Sequence, residues 1–281
     1  MTRANSFGAE FGAEQLTRLR AEAREIVARY PEPRSGLLPL LHLVQAEDGY
    51  VSPTGIAFCA DELGLTTAEV SAVATFYTQY KRHPNGEYTV GVCTNTLCAV
   101  MGGDAIWEGL TDHLGVGHDE TTDDGAVTLE RIECNAACDY APVVMVNWEF
   151  FDNQTPDTAR ATVDRLRAGE PVVPTRGATS VCTFKQMSRV LAGFSDGRAD
   201  EGVGAGGPTV RGTALARQRG WTAPPFPATA PPPSSSPTSD AAALAVAATP
   251  APGAEHSSAE RPVTTPADTD PTTQTSTSKE P

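Results

Sequence analysis

Four of the chain's six cysteines fall in two tight pairs, C-x4-C in "GVCTNTLCAVMGG" (91–103) and C-x3-C in "IECNAACDYAP" (132–142). Thirty-five residues separate Cys98 from Cys134, enough for a helix and a strand. Each pair can close on an ion locally, but the two pairs meet only if the intervening chain folds and carries them to one place. Zinc and iron both take thiolates tetrahedrally, from sulfurs presented by turns. Zinc knuckles are most often C-x2-C, a spacing neither pair has. Free core thiols are the usual fate of single cysteines, and closely paired ones fit that poorly. Cys59, on an apolar helical stretch, reads as a small core hydrophobe, and Cys182 stands alone in a weakly patterned segment.

The periodicity around the pairs indicates which elements would deliver them. From residue 12 to 81 the pattern is helical and punctuated. "AEQLTRLRAEAREIVARY" puts Leu16, Leu19, Ala23, Ile26 and Val27 on one stripe and stops at Pro31. "GLLPLLHLVQAEDGY" follows with Ser35 as candidate N-cap. Ser52 before Pro53 starts a third helix, and Thr66 with Glu69 forms a capping box for a fourth. After the turn "RHPNG" the period changes. "EYTVGVC" (87–93) reads as a strand ending at Cys93, 102–116 as a helix, and 126–134 as a strand ending at Cys134. Residues 141–151 read as a hairpin around Asn147, and "TPDTARATVDRLRAG" as a helix capped by Thr155 and Pro156. The expectation is an α+β chain, with a small helical bundle (12–81) followed by a thioredoxin-like α/β domain (86–175) of helices packed on a mixed sheet. In that arrangement adjacent strand ends would bring the cysteine pairs face to face. Gly102, Gly103 and the small residues of "NAAC" are expected to leave backbone amides free for bridging sulfides.

Composition sets the limits. With 281 residues and 40% hydrophobic content the chain can bury a good core. Structure is expected to fade beyond Pro174, with one further helix possible in 179–193. Residues 222–281 hold 13 of the 23 prolines and a single aromatic, Phe226, so 200–281 is expected to be a disordered tail. The net charge of −14 argues against a nucleic-acid partner. Ten acidic residues (Asp104, Glu108, Asp112, Asp119, Glu120, Asp123, Asp124, Glu130, Glu133 and Asp139) face only Arg131 between 104 and 139, and read as a solvated acidic face. The start has no apolar signal region and no run approaches a membrane span, so a cytoplasmic protein without direct membrane insertion is expected. Thiols are kept reduced there, which disfavours two disulfides. "GVGAGG" (202–207) has the spacing of the dinucleotide fingerprint, but no strand precedes it and Pro208 follows where a helix should begin. It reads as a flexible linker. None of the five histidines has metal-pair spacing, and no catalytic acid–base pair stands out.

"YPEPRSGLLPLLHLVQ", "VATFYTQY", the set Cys93, Cys98, Cys134 and Cys138, and "CDYAPVVMVN" together resemble the E subunit of NADH-quinone oxidoreductase, respiratory complex I, over residues 15–175. The resemblance implies a thioredoxin-like domain whose four cysteines hold one [2Fe-2S] cluster. It further implies docking on a flavoprotein subunit that carries FMN and the NADH site, and a place at the inner face of the cell membrane through the complex. The chain is then an electron-transfer subunit of an NADH dehydrogenase, with no NADH site of its own. Phe76, Tyr77 and Tyr80 are candidate anchors for the partner, or core residues. Two other readings remain open at this level: the equivalent [2Fe-2S] subunit of an NAD-linked hydrogenase or formate dehydrogenase, and a zinc-stabilised interaction module.

Overall fold

The computed structural model describes residues 11–225. Four helices come first: α1 (Ala13–Val27), α2 (Leu37–Asp48), α3 (Pro53–Leu63) and α4 (Thr67–Phe76). The expected stripe of α1 buries Leu19, Ala23 and Ile26, with Leu16 and Val27 packed at its margin. The side chain of Ser52 accepts from the amide of Gly55 at 2.9 Å to start α3, and Thr66 and Glu69 close their capping box on α4. Ser35 is not a helix cap. A 3-10 turn at Pro33–Gly36 precedes α2, which starts from Gly36; Pro33, with its φ already near the helical value and no N–H to satisfy, takes the first position of that turn.

The second layer is a mixed five-stranded sheet in the order β2-β3-β1-β4-β5. Its strands are β1 (Tyr88–Cys93), β2 (Glu120–Thr121), β3 (Val127–Ile132), β4 (Val144–Val146) and β5 (Glu149–Phe151). Helices α5 (Thr96–Val100) and α6 (Gly103–Leu114) follow β1, and α7 (Pro156–Arg167) follows β5. Alternation along the strands sorts the faces. Val90, Val92, Val127, Leu129, Val144 and Val146 pack with Ile106, Trp107 and Leu110 of α6 and Ala159, Val163 and Leu166 of α7. The hairpin between β4 and β5 turns at Asn147 and Trp148, both with positive φ (46° and 68°), as the sequence suggests. The Asn147 carboxamide accepts from the amide of Thr89 and donates to the carbonyl of Cys182 at 2.7 Å, which stitches the turn into the fold.

Among the described residues, structure does not fade beyond Pro174. Helix α8 (Phe184–Leu191), capped by Thr183 with Gln186, packs along α2. Ala192 and Phe194 enter the core of the first four helices. The bundle is therefore not confined to 12–81 but is completed by chain that follows the sheet in sequence. Cys182 lies buried at this junction and is not part of a loose segment; Cys59 is buried on α3, as expected. A further helix, α9 (Gly207–Gln218), begins where a disordered tail is expected, with Pro208 in its first turn. Proline favours that position because its missing N–H costs nothing there. The remainder of the expected tail, 226–281, lies outside the described residues. Among the described residues no helix is long and apolar enough to cross a membrane.

Candidate metal centre

Both strands that lead to cysteines run parallel and end together. β1 pairs with β3 in a register that sets Cys93 opposite Ile132, so the C-x4-C loop and the C-x3-C loop leave the same end of the sheet. Cys93 is the last residue of β1 and Cys98 lies on α5, both nearly fully buried (2% and 3% exposed). They share a small apolar cluster with Ala137, Ala141, Val143 and Met145. Cys134 stands two residues past the end of β3, and Cys138 opens a 3-10 turn, Cys138–Tyr140; both are exposed. The loop between them passes Ala136 at φ 54°, a left-handed turn that points the two thiols the same way.

The sulfurs of Cys134 and Cys138 lie 3.4 Å apart and all six cysteines are free thiols. That distance is far beyond a disulfide bond of about 2.05 Å. Two sulfurs bound at about 2.3 Å to one tetrahedral ion would lie about 3.8 Å apart, a few tenths of an ångström more than this pair. Burial pushes the Cys93 thiol up to about 11, and the neighbouring thiols of Cys98 and Cys134 push it the same way. Cys138 is raised first by its hydrogen bond with Cys134. Thiols raised by one another's proximity are protonated when bare, and a cation among them displaces the protons. The donor set thus fits an iron–sulfur group: four thiols, two from each loop, at one end of one sheet. Among the described residues no three His, Cys, Asp or Glu side chains gather closely enough to close on a single ion.

Two features of the site lie outside the cysteines. Asn95 occupies the N-cap position of α5, yet its side chain does not cap the helix. Its Oδ1 accepts from the amide of Cys134 at 2.8 Å and its Nδ2 donates to Glu133 at 2.9 Å. The first cysteine loop therefore grips the second. The sequence shows only an asparagine inside a short cysteine loop, and nothing local marks it for this role. Gly103 starts α6 in contact with the carbonyls of Cys93 and Cys98, where a Cβ would approach to 2.5 and 2.8 Å. The amide of Gly102 donates to Ala99, so these glycines close the loop tightly and Gly102 keeps no free amide.

The acidic run is only partly a solvated face. Asp119 pairs with Lys81 and His83, Glu130 with buried Lys81, Asp124 with Arg167, Glu133 with Asn95, and Asp139 accepts from the hydroxyl of Thr209. Of the three candidate aromatic anchors, Phe76 and Tyr77 are exposed (77% and 44%). Tyr80 is buried, its hydroxyl donating to the carbonyl of Leu38 at 2.9 Å.

Comparison with known proteins places this arrangement. The model of the thioredoxin-like [2Fe-2S] ferredoxin family matches residues 23–167. The E subunit of the Mycobacterium tuberculosis NADH-quinone oxidoreductase is 67% identical over 213 residues, which is 75% of this chain and 84% of that protein. NADH-quinone oxidoreductase subunit 2 of Thermus thermophilus is 38% identical over 149 residues, 52% of this chain and 82% of that protein. The E subunit of the Rickettsia bellii enzyme is 37% identical over 148 residues, 52% of this chain and 89% of that protein.

Proposed function

This chain belongs to the thioredoxin-like [2Fe-2S] ferredoxin family, alongside the E subunit of NADH-quinone oxidoreductase, and from that membership we infer its function. It is the electron-transfer E subunit of that oxidoreductase and carries one [2Fe-2S] cluster. Cys93, Cys98, Cys134 and Cys138 hold the cluster, two thiolates to each iron. When bound, the group supplies a one-electron carrier. The protein's part is to hold it: Cys93 and Cys98 from the buried side, Cys134 and Cys138 from the exposed side, with Asn95 fixing one loop against the other. The observation that carries the reading is the parallel register of β1 and β3, which brings two pairs 35 residues apart to one sheet end.

The partner is a flavoprotein subunit that binds FMN and NADH, and this chain has no NADH site of its own. Phe76 and Tyr77 form the exposed aromatic corner best suited to meet it. Attachment at the inner face of the cell membrane comes through the assembly.

The test is acid-labile sulfide and visible absorbance on full-length protein purified without oxygen. Cys134→Ala, which leaves no donor atom in the sulfur's place, is expected to lose the cluster, while the parent carries about two sulfides per chain. Normal visible absorbance in that variant would sink the ligand assignment, and zinc without sulfide in the parent would leave a structural clip.

A further inference from the structure

The glycine-rich run "GVGAGG" does not behave as a linker. Residues 202–206 form a strip that leads into the first turn of α9, and the run to Thr209 is held at successive points. The amide of Gly177 donates to the carbonyl of Val203 at 3.3 Å, and Arg176 donates to the carbonyl of Gly204 at 2.6 Å. Gly206 then sits against the hydroxyl of Tyr140, and the Thr209 hydroxyl donates to the Asp139 carboxylate. Arg176 is itself anchored: it pairs with buried Asp152 at 2.9 Å and lies over the rings of Phe150 and Tyr140, at 3.7 and 5.2 Å. Two of the glycines are needed for close approach. A Cβ on Gly202 would come within 2.1 Å of the Gly177 carbonyl oxygen, and one on Gly206 within 2.1 Å of the Tyr140 hydroxyl.

Asp139 and Tyr140 belong to the same 3-10 turn as Cys138. Contacts that hold the Asp139 and Tyr140 side chains therefore act on the turn that presents Cys138. The strip also lies beyond residue 167, where the family match ends. We propose that residues 202–209 are a clamp that positions Cys138, with Gly206 and Thr209 as positioning residues that hold the exposed half of the cluster site from outside the family domain. The inference rests on the assignment of Cys138 as a ligand.

The geometry supplies a variant with its own rescue. Gly206 has φ −92°, which any residue adopts, so Gly206→Ala adds no backbone strain and acts only through the contact with Tyr140. Tyr140→Phe removes the atom that the new methyl would meet; the next ring atom, Cζ, lies 3.3 Å away. Full-length protein, its Gly206→Ala variant and the Gly206→Ala/Tyr140→Phe double variant are reconstituted without oxygen. Sulfide content, loss of visible absorbance in excess ferrous chelator, and the electron paramagnetic resonance spectrum of the reduced cluster are then read. Gly206→Ala is expected to load sulfide but to release iron several-fold faster, with shifted g-values, and the double variant to return towards the parent on both. Thr209→Val, which adds no bulk, should accelerate release in the same direction and keeps the question open to test if Gly206→Ala fails to fold. Parental release rates and g-values in both Gly206→Ala and Thr209→Val, or a double variant as impaired as Gly206→Ala, would overturn the clamp. A parent chain without sulfide would instead overturn the ligand assignment beneath it.

Discussion

At the scale of single residues, the site depends on side chains whose type suggests another task. Asparagine before a helix is among the best N-caps, because its oxygen accepts an orphan amide of the first turn. Asn95 gives that up and spends both ends of its carboxamide on the other cysteine loop. Asn95→Ala removes both bonds and leaves the Cys134 amide without its acceptor. The expected outcome is a cluster that assembles but is lost to a chelator several-fold faster, with a loss of stability of about 1 kcal/mol by denaturant titration. An unchanged release rate would make Asn95 a bystander. The two cysteine pairs are legible from spacing alone. Their grip is not, because Asn95 and Cys134 are 39 positions apart and meet only once β1 lies beside β3.

At the scale of elements, α2 shows how a helix that is apolar almost all round becomes a centre of packing. Leu40, Leu41, Leu43 and Val44 are buried, α3 and α8 lie along it, and the buried Gln45 carboxamide donates to Ser188 of α8 and to the carbonyl of Gln79. His42 is drawn in with them, 7% exposed, its ring 4.8 Å from that of Tyr80 and its Nδ1 without a hydrogen-bond partner. Burial lowers its pKa from 6.5 to about 4. Below the unfolded value the unfolded chain binds a proton that the folded chain refuses. Stability is therefore complete above about pH 6.5 and is lost as pH falls towards 4. The loss amounts to about 1 kcal/mol at pH 5.5 and about 3 kcal/mol below pH 4. His42→Phe keeps a ring against Tyr80 and removes the proton. Its unfolding free energy is expected to fall less between pH 7.5 and 5.5 than that of the parent, by about 1 kcal/mol; parallel curves would refute the linkage. The helix itself follows from the run of leucines, whereas the depressed histidine follows from which neighbours cover it.

At the scale of the whole molecule, the first compact unit closes at Thr222, after α9. The clamp and α8 lie inside that unit, so the useful boundary for a shortened protein is Thr222. Ending the chain at Ala199 would remove the clamp. A chain ending at Thr222 is expected to keep the parental sulfide content, chelator resistance and melting temperature; a drop in any of them would place part of the cluster site's support in the last 59 residues. Composition, periodicity and capping residues are local properties. By themselves they determined the helical stretch within residues 12–81, the strands ending near Cys93 and Cys134, the hairpin at Asn147 and the two thiol pairs. Three matters were left to the tertiary structure, because each depends on residues far apart in sequence. The parallel register of β1 and β3 set the pairs at one sheet end. The return of α8 onto α2 completed a bundle whose local pattern finishes at residue 81. The fit of Gly206 against Tyr140 turned a glycine-rich run that reads as flexible chain into a packed strip, since a missing Cβ permits motion and close contact equally and only the neighbour decides between them.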